Sequence, residues 1–527
     1  MQNSLFKKFD YYWVFVILTV ILSYGFFLTN SSMGIDDNIL NIFGNKLVII
    51  SSYRLGDLFF SNNIIPCEYL PFWREFLGVF FYVLGVTIHA ENFIKYINFD
   101  KKLATIFTCL VISFPYIAFH FIFLQKAIQL GLIMISTAYA VRYFYNFFTQ
   151  KKSKSNFILM FISLLFAASL YESAVYYFVI SCLIIEFFKF LFDKNEKFYN
   201  RIFCIYSFSF CSIILNILLC EILKKIMHIK YSKFDDFFMY EISCFSNFFK
   251  SFIEIQKDFF SRYITTCEYN FGSVIALISI VLLLIFTLIQ TFKTKNFNIL
   301  FCAICIILLP FTSLLLLGNA YMPFRAYTTL SFLVAMVFVL LFYLCKEKQV
   351  LNKIIIGFIS FIVILNTQEL NQIFYSEHIK VENDKQFAYS IMHDLHKLGF
   401  EHKPIIWIGV RDNPKLRYNY IESEEINISS FNWDRYSSFK QEVHIRRTYA
   451  FLEELGMDIK SYYDLDIFSK EKNDIFMKEL KQAAKEMPIY PKPGSIKENG
   501  DYVIIKIGNS KVNEDEMDGW KDKIQNM

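Results

Sequence analysis

The sequence predicts a polytopic α-helical membrane protein that ends in a small extracytoplasmic α/β domain. Three observations lead there. The 527-residue chain is 55% hydrophobic and 19% aromatic with only 17 Gly, more apolar material than a soluble fold of that length buries. Much of it lies in runs of about 20 residues, the length that crosses a hydrocarbon core of ~30 Å. After residue 370 the runs stop and mixed, periodic sequence takes over.

On hydropathy about eleven spans fall near residues 11–29, 73–90, 103–121, 126–148, 156–171, 174–192, 202–223, 272–291, 298–317, 325–345 and 353–369. The first follows Lys7-Lys8 but no small-residue cleavage pattern comes after it, so it reads as a retained helix. Trp73, Arg74 and Glu75 interrupt the start of the second, and Tyr171-Glu172-Ser173 joins the fifth and sixth in a tight hairpin. Lys and Arg set the orientation, because short cytoplasmic loops carry their excess. With a cytoplasmic N-terminus, the inside segments hold Lys7 and Lys8; Lys95, Lys101 and Lys102; Lys151, Lys152 and Lys154; Lys194, Lys197 and Arg201; Lys293 and Lys295; and Lys346, Lys348 and Lys353. The short outside turns carry few, with Lys126 and Arg325 the main exceptions.

This topology expects Asp36, Asp37, Glu172, the 224–271 loop, the 318–324 turn and everything beyond 370 on one extracytoplasmic side. That side has no ATP and no nucleotide sugars. A group transfer there needs an activated donor delivered on a lipid.

The segment 371–527 is long enough for one small domain. Residues 384–398 read as an amphipathic helix with Phe387, Ile391, Leu395 and Leu398 on one face, and 405–408 as a buried strand ending at Gly409. Helical patterns recur near 438–455 and 472–486, and 502–507 is a closing strand.

The net charge of +5 is small, and its basic clusters separate apolar runs, which favours membrane orientation over nucleic-acid binding. The 11 Cys show no CxxC pair and no metal-ligand spacing, so they read as free thiols; Cys244 and Cys267 share the one polar loop in which a bridge could form. No Gly-rich phosphate loop, G-x-S-x-G or H-E-x-x-H motif occurs, and no cofactor is expected. A divalent ion on the Asp36-Asp37 pair stays open.

Several polar residues stand at the outside mouths of the expected helices. Asp36-Asp37 lies just past the first span, where adjacent carboxylates repel each other and one can serve as a general base; the alternative is a solvated pair or a helix cap. Tyr53-Arg54-Leu55-Gly56-Asp57 follows in the same loop, and Arg325 stands at the mouth of the tenth span. Two fixed cations suit a leaving phosphate, which Arg grips bidentately; the alternatives are a pair with Asp57 for Arg54 and snorkelling to headgroups for Arg325. Glu172 sits between two apolar helices, where ionisable residues are costly. Lys126 and His120 flank another outside turn.

Gly34-Ile35-Asp36-Asp37 followed by Tyr53-Arg54-Leu55-Gly56, the Tyr171-Glu172-Ser173 hairpin, Met322-Pro323-Phe324-Arg325-Ala326-Tyr327, and Lys403-Pro404-Ile405-Ile406-Trp407-Ile408-Gly409 together resemble the O-antigen glucosyltransferase II family. These are bacterial membrane proteins related to serotype-converting glucosyltransferases, and the resemblance runs over nearly the whole chain. It implies a GT-C like fold over 1–370 and a polyprenyl-phosphate-linked donor. It further implies transfer of glucose or another hexose to lipopolysaccharide, O-antigen or a related glycan on the periplasmic side of the inner membrane. Partners in such systems are a donor-synthesising glycosyltransferase and a small flippase. Residue by residue, Asp36 and Asp37 match the acidic pair of the first loop, Arg54 the basic residue of its small-residue motif, and Arg325 the late Arg. Lys126 is a further phosphate candidate, and Glu172, Tyr53 and Tyr327 complete the candidate site. The chain departs from the pattern in having Leu55 between Arg54 and Gly56.

Two other readings compete. A lipid-linked glycan transporter or flippase predicts an inverted repeat and midplane charges, neither of which the sequence displays. An O-antigen polymerase would also use external loops, but the first-loop acidic pair and the long C-terminal domain favour a transferase.

Overall fold

A computed structural model describes residues 11–30, 53–56, 72–149, 153–192, 198–228, 271–312, 324–411, 428–432, 442–457, 459, 479–480, 482–483 and 485–508. The chain divides into two compact units, Met1–Ser31 with Asn45–Phe374, and Ser32–Gly44 with Tyr375–Met527.

The first unit is built from α1 (Tyr11–Thr29), α2 (Trp73–Ile97), α3 (Lys101–Ser113), α4 (Leu124–Thr149), α5 (Lys154–Leu170), α6 (Val175–Phe192), α7 (Phe198–Ile226), α8 (Phe271–Thr294), α9 (Phe297–Leu308), α10 (Leu330–Cys345) and the start of α11 (Gln349–Leu398). Among the described residues α1, α2, α4, α6, α7, α8 and α11 are the seven helices long and apolar enough to cross a membrane. A bent pair, α3 with Pro115–Phe121, makes an eighth if taken as one span. The apolar helices α5, α10 and the stretch Phe297–Phe311 are shorter. Each stretch expected to span therefore contains a helix, and among the described residues seven of these helices, or eight with the bent pair, are long and apolar enough to cross.

The bend has a sequence cause. Pro115 has no N–H to donate to Val111, and the ring pushes Phe114 into an extended conformation, φ −67° and ψ 125°, that stops α3. The two halves meet at 50°. Carbonyls freed in an apolar interior need new donors. Tyr82 donates its hydroxyl to the Val111 oxygen at 3.0 Å, and Tyr24 donates to that of Ile112 at 2.8 Å. One proline thus explains two buried tyrosines on two other helices.

Glycines set the closest seam, between α2 and α4. A Cβ on Gly78 would lie 2.7 Å from the Ala127 Cβ, one on Gly85 2.4 Å from that of Met134, and one on Gly131 2.4 Å from that of Phe81. Gly78 and Gly85 are two turns apart and share a face, so the backbones approach as small residues allow in lipid. Gly85→Leu is expected to destabilise the bundle by about 1–3 kcal/mol or more through overpacking. A lower melting temperature of the detergent-solubilised protein would register it; an unchanged one would mean the seam can open.

At the bundle end where α2, α4 and α6 finish, Glu186 is fully buried yet paired with Arg201 at 2.8 Å and hydrogen-bonded by the Tyr145 hydroxyl at 2.9 Å. Arg142 pairs with Glu91 there at 2.9 Å. Cys109, Cys182, Cys204, Cys211, Cys220, Cys302, Cys305 and Cys345 are free thiols, whereas Cys244 and Cys267 lie outside the described residues.

In the second unit a three-stranded sheet has the order β1-β3-β2, with β1 (Ile405–Ile408) parallel to β3 (Tyr502–Lys506) and β2 (Ile496–Asn499) antiparallel to it. Ala388, Ile391 and Leu395 of α11 join a core with Ile405, Ile504, Phe431 and Leu452, the last from α12 (Glu442–Glu454). Gly399, at φ 72°, ends α11, with the Phe400 N–H bonded back to the Leu395 carbonyl at 2.9 Å. Leu398, expected on the buried face, is 50% exposed because the helix ends beside it, and Ala388 packs in the core instead.

Candidate active site

The segment Tyr53–Gly56 is held by α5 on one side and α7 on the other. Tyr53 takes a φ of 56°, a conformation bulky residues seldom adopt, so its neighbours must hold it. Its hydroxyl donates to Glu221 at 2.7 Å, its ring lies 3.9 Å beneath the Lys224 ammonium, and its carbonyl accepts from the Asn216 side chain at 2.8 Å. Burial first, and then the bond to the Glu221 carboxylate, push the Tyr53 phenol above its ordinary value, so it stays a donor at neutral pH. On the other side Gly56 presses on the end of α5, where a Cβ would stand 2.5 Å from the Ser169 Oγ. Glycine is needed there for space.

Held in this way, the Arg54 guanidinium sits over the Tyr171 ring at 4.7 Å. Tyr171 lies in extended conformation between α5 and the 3-10 turn Glu172–Ala174. Its ring meets His120 edge-on at 5.9 Å. His120 reaches the Arg325 carbonyl with Nε2 at 3.1 Å, and because a carbonyl can only accept, that nitrogen carries the proton. Thr328 donates to the same carbonyl at 3.3 Å and accepts from the Tyr177 hydroxyl at 2.6 Å. The Arg325 guanidinium lies 5.1 Å over the Phe123 ring. Lys126 follows one turn later, its backbone N–H bonded to the Phe123 carbonyl at 2.7 Å, and its side chain is half-buried. Tyr327 is buried and packs edge-on against Phe311 at 5.6 Å.

Of the expected site residues, Arg54 and Arg325 are thus linked through Tyr171 and His120, and Lys126 enters beside Phe123. Tyr53 faces Glu221 and Lys224 and serves as an anchor for its neighbour. Asp36 and Asp37 lie outside the described residues, as does the side chain of Glu172. The sequence reading missed Phe123, Tyr177, Thr328 and Asn216. Tyr177 and Thr328 carry a weak signal in hindsight, being hydroxyl residues at the apolar starts of α6 and α10.

The arrangement offers two guanidinium groups, each on an aromatic face, and Lys126 three residues after the Phe123 that carries one of them. Arginine presents a planar N–H fork and lysine a point ammonium, both of them groups that pair with anionic oxygens. Among the described residues no three His, Cys, Asp or Glu side chains gather as a metal-binding group.

The family model described as glucosyl transferase GtrII matches residues 25–344, a stretch that contains Asp36, Asp37, Arg54, His120, Lys126, Tyr171 and Arg325. No curated protein and no solved structure matches the chain. With more than half of its length matched, the chain belongs to the GtrII glucosyl transferase family.

Proposed function

We propose that this glucosyltransferase takes its sugar, glucose or another hexose, from a polyprenyl-phosphate donor and passes it to a hydroxyl of lipopolysaccharide, O-antigen or a related surface glycan. The transfer occurs on the periplasmic face of the bacterial inner membrane, in a GT-C like bundle. The observation that carries this reading is the seating of Arg54 on Tyr171 and Arg325 on Phe123 about one histidine. A monophosphate lipid leaves with anionic charge on its oxygens, and fixed guanidinium groups stabilise that charge as it grows. The alternation of basic loops along the sequence supports the sidedness.

In the step itself the acceptor oxygen forms a bond to the anomeric carbon while the bond from that carbon to the phosphate oxygen breaks. The electron pair departs with the lipid phosphate, held by Arg325 and Arg54 with Lys126 near. The acceptor's proton goes to Asp36 or Asp37. A single displacement inverts the anomeric centre.

Membranes containing the chain, given a polyprenyl-phosphate-linked radiolabelled glucose and the native glycan, are expected to label the glycan. Soluble UDP-glucose, supplied alone to membranes that lack donor synthesis, is expected to label nothing. Direct labelling from UDP-glucose would overturn the lipid-donor assignment. In cells, deletion should remove a single hexose branch; loss of whole glycan chains would instead favour a polymerase or flippase.

A further inference from the structure

We propose that His120 is a positioning residue that fixes the two arginines relative to each other for binding the donor phosphate. The inference rests on the reading above, that Arg54 and Arg325 share the donor phosphate, and adds the part that fixes their separation.

The two arginines come from distant places in the chain. Arg54 is delivered by a segment pinned between α5 and α7, Arg325 by the 3-10 turn Phe324–Tyr327 before α10. Neither guanidinium can know where the other stands unless something rigid joins them. His120 is that joint. One edge of its ring rests against Tyr171, the ring that carries Arg54, and its Nε2–H holds the main chain of Arg325 at the carbonyl. The segment that bears His120 is itself packed in, for Pro115–Phe121 leaves α3 at 50° and His120 is only 8% exposed. From the far side, Tyr177 and Thr328 complete the grip on the same carbonyl. A backbone carbonyl held by two donors cannot slide along its helix axis. The Arg325 side chain therefore starts from a defined point.

A histidine kept only to fill space would need no donor aimed at a carbonyl 205 residues away in sequence, and phenylalanine would replace it. The two roles separate on substitution. His120→Phe keeps ring and volume and removes the N–H; His120→Gln restores a donor at similar reach. A lipid-linked phosphodiester carries one negative charge before reaction and gains a second as the bond breaks; a positioning contact shared by both states is read mainly in KM for the donor, whereas loss of a guanidinium itself also lowers kcat.

Donor kinetics in proteoliposomes, at matched amounts of folded protein judged by monodisperse elution and melting temperature, test this. His120→Phe should raise the donor KM about tenfold with kcat within about threefold, and His120→Gln should recover most of that loss. In an Arg325→Lys background, where the bidentate grip is already gone, His120→Phe should add little, since residues acting through one contact are not additive. A His120→Phe enzyme with the wild-type KM, a His120→Gln enzyme as impaired as His120→Phe, or full additivity with Arg325→Lys would each overturn the proposal. Should His120→Phe fail to fold, Tyr177→Phe, which loosens the other side of the same carbonyl, is expected to raise the donor KM, and an unchanged KM there counts against it. Wild-type protein inactive with the lipid donor would sink the proposed function instead, so the two failures are distinguishable.

Discussion

Arg325→Ala is expected to lower glucosyl transfer from the lipid donor by about 10²- to 10³-fold in kcat/KM, the loss seen when one preorganised donor to a developing anion is removed. The contacts from His120 and Thr328 go to the Arg325 carbonyl, which alanine retains, while the guanidinium over Phe123 is removed. The turn before α10 should therefore persist, and the protein should reach the membrane in normal amount. Arg325→Lys separates charge from geometry. Lysine keeps the charge but offers a point ammonium in place of a planar fork, so a partial recovery of about tenfold is expected if two phosphate oxygens are gripped together. Radiolabel transfer at matched protein levels decides it. An alanine variant within threefold of wild type would remove Arg325 from the phosphate site and leave it as a cation resting on an aromatic ring.

The membrane half of the fold was legible because its signal is coarse: about 20 apolar residues in a row need no knowledge of partners. What hydropathy passed over was local. It read 103–121 as one span, though Pro115 within it breaks the helix for lack of an N–H. It ended the last span at 369, whereas α11 continues to Leu398, since no Gly or Pro after Gly357 interrupts it before Gly399. In the second unit, Ile405–Ile408 announced itself as a strand through four apolar residues, and Tyr502–Lys506 likewise. β2 did not, because Ile496-Lys497-Glu498-Asn499 is an edge strand with two exposed charges, and its only instruction is the ladder to β3. Propensity alone cannot find such a strand.

The candidate residues were legible one by one, and their assembly was not. Arginines at helix mouths are visible as costly residues in an apolar chain. That Arg54 would lie on Tyr171, and that His120 would stand between Tyr171 and the Arg325 main chain, depends on contacts spanning up to 205 residues, which periodicity does not encode. Tyr53, a candidate beside Arg54 in sequence, has its hydroxyl engaged by Glu221 on α7. Adjacent residues in a pinned segment point to different tasks.

The paired substitution Asp36→Asn with Asp37→Asn is expected to have the other large effect, a loss of about 10²- to 10⁴-fold in kcat, the contribution of a positioned general base. In the proposed step the arginines stabilise the leaving side of the reaction; none of them can remove the acceptor's proton. That task needs a carboxylate, and the first loop brings two in succession, Gly34-Ile35-Asp36-Asp37, ahead of the segment that carries Arg54. Asparagine keeps size and hydrogen bonding but cannot take the proton. Donor KM should thus change little while kcat collapses, the opposite of the pattern expected for His120→Phe, whose effect lies in binding. The single variants assign the role: the aspartate whose replacement reproduces the double variant's loss is the base, and the other should cost far less. Raising the pH should not rescue the asparagine enzymes at matched substrate, because the group that accepted the proton is gone and not merely protonated. A double variant that retains transfer within about tenfold would move the base elsewhere and leave the two arginines serving a different proton acceptor.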